Sequence, residues 1–182
     1  MSIVITGNPG VGKHTISKEL AKKLQLKIID INQIAKNSGL FEKNNESNDV
    51  DTEKLKEILK QEISSDCIIV GHLAPYVLDK EQVKTAIVLR RSPYDLIQVY
   101  KQREYSDKKS KENTGSEILG VITHNSINQF NEKTFQINVT GKEIQDVVNK
   151  IESIILGNLQ GEDVDWLELV TNRNDLKKFF VD

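Results

Sequence analysis

The chain has 182 residues, and 25 Lys+Arg against 27 Asp+Glu leave a formal net charge of −2. That length suits one domain with a real core, and 37% hydrophobic with 29% charged residues excludes a membrane-embedded or disordered chain. The balanced charge also argues against a uniformly basic nucleic-acid binder.

Ser2-Ile-Val-Ile-Thr6 is a short β-branched run ending at Gly7, the pattern of a buried strand. Lys13 to Leu24 predicts a helix with Ile16, Leu20 and Leu24 on one stripe. Lys27–Asp30 predicts a second strand and Ile31–Asn37 a helix broken by Ser38-Gly39. Phe41–Asp51 is polar, acidic and asparagine-rich (Asn44, Asn45, Asn48) and predicts a loop. Asp51 can cap a helix carrying Leu55, Ile58, Leu59 and Ile63. Cys67–Val70 and Thr85–Leu89 are continuous apolar runs, as in strands covered on both faces. Runs of this length are too short to cross a membrane.

Ser92-Pro93-Tyr94-Asp95 opens a helix with an N-cap, a proline at the first position and an acid at the third. A polar, lysine-rich stretch follows over Arg103–Asn113, then a helix through Ile118, Val121 and Ile122. Lys133–Val139 alternates as a strand. Thr140-Gly-Lys-Glu143 matches a capping box ahead of a helix with Ile144, Val147, Val148, Ile151 and Ile155. Residues 159–182 change character and read as a tail docking on a core of residues 1–158. Strands alternating with helices predict a three-layer α/β fold, a mostly parallel central sheet with helices on both faces.

The sharpest chemical signal is Gly7-Asn8-Pro9-Gly10-Val11-Gly12-Lys13-His14-Thr15 between the first strand and the first helix. A GxxxxGK loop there turns its backbone N–H groups inward as a phosphate cradle, with Lys13 reaching the β/γ-phosphates of ATP. The motif asks for a Mg²⁺-ligating hydroxyl where His14 stands; the nearest hydroxyl is one place later, at Thr15. Mg²⁺ is therefore expected to be held mainly through nucleotide and water, with Thr15 the alternative protein ligand. The lone Cys67 offers no disulfide or cysteine metal site and suits a reducing cytoplasm. The N-terminus has no basic stretch, so no secretory signal is expected.

Several blocks together resemble the small adenylate-kinase-like NTPases of the isoenzyme 6 type. They are Gly7–Thr15, Asp30–Phe41, Ile68-Ile-Val-Gly-His72, Val88-Leu-Arg90, Arg103-Glu-Tyr-Ser-Asp-Lys-Lys109, Glu112-Asn113 with Glu117-Ile118, and Val164-Asp-Trp166. The resemblance implies a P-loop fold of the nucleoside monophosphate kinase type, with ATP held by Gly10, Gly12, Lys13, His14, Thr15 and Arg103. It also implies a monophosphate-binding flap over 30–53 using Asp30, Lys36 and Arg90, and a lid over 102–112. Lys13, Arg103 and His72 would be the catalytic set; the plainer readings are a solvated Arg103 and a structural His72.

The implied activity is transfer of the ATP γ-phosphate to AMP or another NMP, with ATP hydrolysis. The implied setting is small-ribosomal-subunit maturation in the cytoplasm, in transient contact with a small-subunit ribosomal protein and pre-ribosomal RNA. The alternatives are an ATP-driven assembly factor with little kinase activity, or a nucleotide binder alone.

Two departures bear on catalysis. The family carries an Asp where Val70 stands, and Asp66 lies roughly 13 Å away at the other end of the strand. The chain has 21 Lys but only four Arg, namely Arg90, Arg91, Arg103 and Arg173. Arginine is the usual planar clamp for phosphate.

Overall fold

The computed structural model describes residues 1–43, 48–63 and 66–180, with only the main chain described for 41–43, 48 and 49. The chain runs β1 (Ser2–Thr6), α1 (Lys13–Leu24), β2 (Lys27–Asp30), α2 (Ile31–Asn37), β3 (Phe41–Lys43), β4 (Asn48–Val50) and α3 (Thr52–Glu62). It continues with β5 (Cys67–Val70), α4 (Ala74–Val77), β6 (Val83–Arg90), α5 (Pro93–Gln102), α6 (Asp107–Ile118) and α7 (Val121–Phe130). The last elements are β7 (Thr134–Asn138), α8 (Ile144–Ile155), α9 (Trp166–Asn172) and α10 (Leu176–Phe180).

Five strands form one sheet in the order β2-β5-β1-β6-β7, and each neighbouring pair is parallel. Alternation along each strand builds two cores. On one face Ile3, Ile5, Ile68, Ile87, Leu89 and Ile137 pack with Ile16 and Leu20 of α1 and Val147, Val148 and Ile151 of α8. On the other, Val4, Ile29, Cys67, Ile69 and Ala86 pack with Leu55 and Leu59 of α3, Val77 of α4 and Phe130 of α7. Burial on both faces is why the central strands read as unbroken apolar runs. The three-layer α/β fold follows, with a sheet that is parallel throughout.

Four local expectations change. The 41–51 stretch is not a plain loop: β3 and β4 pair antiparallel, Phe41 opposite Val50 and Lys43 opposite Asn48, although Asn44 and Asn45 lie outside the described residues. Main-chain pairing in a ribbon needs no apolar side chains, so polarity hid it. The lysine-rich stretch is helical from Asp107, opened by Ser106, whose side chain accepts from Lys109 N. The helix expected through Ile118 and Ile122 is two helices, because Gly120 is left-handed at φ 63 between α6 and α7. The capping box at Thr140 does not form. The Thr140 hydroxyl accepts from Ser92 N at 2.8 Å, tying the exit of β7 to the start of α5, and Glu143 precedes α8 without a side-chain cap.

The C-terminal segment packs onto α6. Ile118, Trp166, Val170 and Phe179 form a third apolar cluster with Tyr94 and Ile97, and the Tyr94 hydroxyl donates to Asp175 at 2.7 Å. Beneath it lies a buried polar hub. The Glu117 carboxylate accepts from Asn8 Nδ2 (2.7 Å), Arg90 Nε (2.9 Å), Arg91 N (3.1 Å) and Trp166 Nε1 (3.0 Å). Arg90 also donates to Thr123, Gln136 and the Glu117 and Val164 carbonyls.

Removing one partner of such a pair leaves a buried charge uncompensated. Glu117→Ala is expected to lower the unfolding free energy by about 3–5 kcal/mol in urea titration. Combined with Arg90→Met, the loss should be smaller than the sum of the single losses; strict additivity would show the pair to be uncoupled.

Candidate functional site

The loop between β1 and α1 follows a path that only glycine allows at three points. Gly7, Gly10 and Gly12 have φ of 133, 87 and 95. A Cβ on Gly7 would collide with the Leu89 carbonyl, and one on Gly10 would press on Leu96, Val99 and Tyr100 at 3.1 Å. Gly12 has open space around its Cβ direction, so the loop is gripped on the α5 side and open at its mouth. Tyr100 donates its hydroxyl to the Pro9 carbonyl at 2.8 Å and Arg91 reaches the Gly10 carbonyl at 3.3 Å, which fixes the outer wall.

Helix α1 starts at Gly12 with no side-chain cap and no acid in its first turn. Its first N–H groups and the positive end of its dipole are left for an anion. The Lys13 ammonium donates to the Gly7 and Asn8 carbonyls, both at 2.9 Å, and the residue is only 6% exposed. Burial, then the nearby Arg103 cation, lowers its pKa to about 8, against the raising influence of Glu117 and Asp30. A buried cation beside an uncapped helix N-terminus fits a polyphosphate well. Gly10, Gly12, Lys13 and the start of α1 would hold it, with His14 and Thr15 exposed in the first turn.

The remaining predicted residues divide. Arg103 ends α5 at the foot of the lysine-rich helix, exposed, and its charge is felt at Lys13. The following Glu104 is left-handed at φ 55, and Tyr105 stacks on Tyr100 with centroids 5.4 Å apart. The wall of the P-loop thus continues into the segment between α5 and α6. His72, just past β5, is half-buried; burial first, then the Lys13 charge, lowers its pKa to about 4. It is therefore a neutral hydrogen-bonding group at physiological pH. Asp30 sits at the end of β2, capping α2 and bonded to His14 Nε2 at 2.8 Å. Lys36 lies exposed in the last turn of α2.

Arg90 is not placed for the acceptor role. Its guanidinium is 3% exposed and consumed by Glu117, Thr123 and Gln136, so it holds the fold together. Sequence reasoning assigned no role to Asn8, Tyr100, Arg91 or Glu117, which set the loop's shape. Glu117 lay inside the family-like lid block, and a lone acid before an apolar helix face was the signal available. Among the described residues no group of three His, Cys, Asp or Glu could hold a metal ion.

Comparison with known proteins gives the lineage. Residues 3–120 match the protein-family profile described as an AAA domain. A Methanosarcina barkeri protein named "Putative adenylate kinase" is 34% identical, over 93% of this chain and 100% of that protein. A Saccharolobus islandicus protein of the same name is 32% identical, over 83% of this chain and 81% of its own length. Among solved structures, shikimate kinase from Bacteroides thetaiotaomicron superposes with a TM-score of 0.62 at 18% identity, covering 86% of this chain and 98% of that one. Shikimate kinase from Aquifex aeolicus gives 0.55 at 18%, covering 87% and 98%. At those identities the structures speak to the fold alone, a P-loop kinase fold. From the profile and the archaeal relatives together, the chain belongs to the AAA-domain P-loop family that contains the archaeal adenylate-kinase-type proteins.

Proposed function

We propose that the protein is an ATP:nucleoside monophosphate phosphotransferase that uses Mg²⁺ and takes AMP or another NMP as acceptor. The observation that carries this reading is the Lys13 cradle. A buried ammonium lies within a three-glycine loop at an uncapped helix N-terminus, with Arg103 near enough to act on the same charge. The archaeal relatives' shared name supports the same reading.

Phosphoryl transfer asks the protein chiefly for in-line positioning and charge neutralisation. Lys13 and the α1 amides would hold the β- and γ-phosphates. Arg103, at the foot of α6, would close over them and meet charge developing on the transferred group. Neutral His72, beside Lys13, would orient a water or phosphate oxygen by hydrogen bonding without adding charge. The segment 30–53, with Lys36, would form the acceptor flap, and 102–112 the lid. The divalent cation, when bound, would supply further neutralisation of the β/γ oxygens.

A second reading is favoured by one observation: at the end of β5, where the family carries a carboxylate, stands Val70, 1% exposed. With that aid missing, ATP hydrolysis coupled to ribosomal-subunit assembly would be the main activity and kinase turnover residual. A coupled assay decides between them. Strong stimulation of ADP formation by AMP is the expected result. ADP release that ignores every NMP would establish the ATPase, and no release would leave a nucleotide binder.

Lys13→Ala is expected to weaken ATP binding on the order of 100-fold, about 3 kcal/mol, by calorimetric titration. Arg103→Ala should lower kcat on the order of 100-fold while leaving ATP affinity within a few-fold; a loss confined to affinity would make Arg103 a plain binding residue.

The Lys13 pKa near 8 sets a pH signature. The phosphates need the ammonium form, which predominates below pH 8 and gives way to the neutral amine above it. ATP affinity should therefore be flat below pH 8. It should fall about tenfold per unit above, with one proton taken up on binding. A flat profile to pH 9.5 would contradict the site.

A further inference from the structure

P-loop NTPases hold their metal with a Ser or Thr just after the P-loop lysine and an Asp on a neighbouring strand. In this chain those two positions carry His14 and Val70, so neither group is available. The structure nevertheless places a carboxylate at the same height on the sheet. Strands β2 and β5 are parallel and in register, and Asp30 is the partner of Val70. Register partners on adjacent parallel strands sit about 4.8 Å apart with side chains on the same face. That face is the one carrying α1, since Ile68, two residues before Val70, packs with Ile16 and Leu20.

Two further observations tie Asp30 to the cradle. Its Oδ2 is bonded to His14 Nε2 at 2.8 Å, so the residue standing where the hydroxyl belongs is joined to this carboxylate. Its negative charge is also felt at Lys13. Counting acceptor sites shows what remains. A carboxylate has about four lone-pair sites. Asp30 Oδ1 accepts from Asn32 N at 2.9 Å and Gln33 N at 3.2 Å, and Oδ2 carries His14. One site is left on a side chain 21% exposed toward solvent. A carboxylate so placed repels a monophosphate and suits a metal-bound water, which donates.

We propose that Asp30 receives the hydrated divalent cation of the bound nucleotide, with His14 as its positioning residue, in place of the hydroxyl–aspartate pair. The idea rests on the nucleotide reading above and concerns which of this chain's residues meets the cation. No covalent bond is made or broken: the carboxylate accepts a hydrogen bond from cation-bound water at its free Oδ2 site, and the helix cap on Oδ1 stays intact.

The test uses the full chain and compares ATP binding in EDTA with ATP binding in excess Mg²⁺. Asp30→Asn keeps an oxygen for the α2 cap, so its thermal midpoint should match the wild type. His14→Ala alters an exposed side chain. For the wild type, Mg²⁺ should tighten ATP binding. In Asp30→Asn that tightening should shrink roughly tenfold, whereas the affinity in EDTA should not fall, since an anion near the phosphates has been removed. His14→Ala should lose a smaller part of the same increment. Water-proton relaxation of Mn²⁺–ATP gives a second readout, since the bound-state enhancement should drop in Asp30→Asn.

An Asp30→Asn protein with the full metal increment would overturn the proposal, as would equal losses with and without metal, which mark a plain capping residue. Wild-type ATP binding indifferent to Mg²⁺ overturns it while sparing the nucleotide reading. Wild-type protein that binds no ATP in either condition sinks both.

Discussion

One buried carboxylate holds together the parts that a phosphate site needs. Glu117 accepts hydrogen bonds from the P-loop through Asn8, from the exit of β6 through Arg90 and the Arg91 amide, and from the C-terminal segment through Trp166. These segments lie far apart in sequence and converge on one anion that is fully buried. A carboxylate in such surroundings is costly unless every lone pair is used. The cost restricts the arrangement: shifting the loop, the strand end or the tail would strand a charge. The hub also fixes Asn8, whose carbonyl accepts from Lys13 and whose side-chain oxygen accepts from Ser116 at 3.0 Å. The shape of the cradle is thus coupled to α6, the helix of the lysine-rich stretch.

The same coupling explains how Lys13 can be buried and still serve an anion. An ammonium desolvated to this degree releases its proton more readily, and Arg103 adds to that tendency, while Glu117 and Asp30 oppose it. Polyphosphate brings several negative charges into the same space and shifts the balance back toward the charged lysine. The loop carbonyls of Gly7 and Asn8 occupy the ammonium in the meantime. Exchanging two carbonyl acceptors for charged phosphate oxygens replaces ordinary hydrogen bonds with charge-assisted ones, about twice as strong.

Much of the fold was legible because the sheet obeys simple periodicity. Ser2–Thr6, Cys67–Val70 and the β6 run are apolar on both faces, and α1, α3, α5 and α8 carry clean stripes, so their order alone implied the parallel α/β layers. What was hidden depends on partners distant in sequence. The β3–β4 ribbon is held by main-chain pairing that composition does not report. The Thr140 hydroxyl has two uses open to it locally, and the Ser92 amide wins because β7 lies beside β6. At the site, the glycine spacing and Lys13 could be read directly, since a phosphate loop is a local object. Arg90 could not. An arginine at a strand end suits an acceptor clamp or a buried pair equally, and only Glu117, on α6, distinguishes them.

The scarcity of arginine then takes on structural meaning. Of the four, Arg90 is consumed by the hub, Arg91 props the Gly10 carbonyl beside Asp95, and Arg173 lies over the Tyr94 ring in the C-terminal cluster. Only Arg103 has both exposure and electrostatic reach to Lys13. Its planar cation stands at the foot of α6, exposed, while the cradle lysine is buried among loop carbonyls. Lysines can add positive potential around the phosphates, yet their point charges lack the fork that locks a phosphate's orientation. In-line transfer depends on orientation more than on total charge. Arg103 is therefore the one planar cation of the chain set beside the cradle and left uncommitted to the fold, and the Tyr100–Tyr105 stack joins the segment that follows it to the wall of the P-loop.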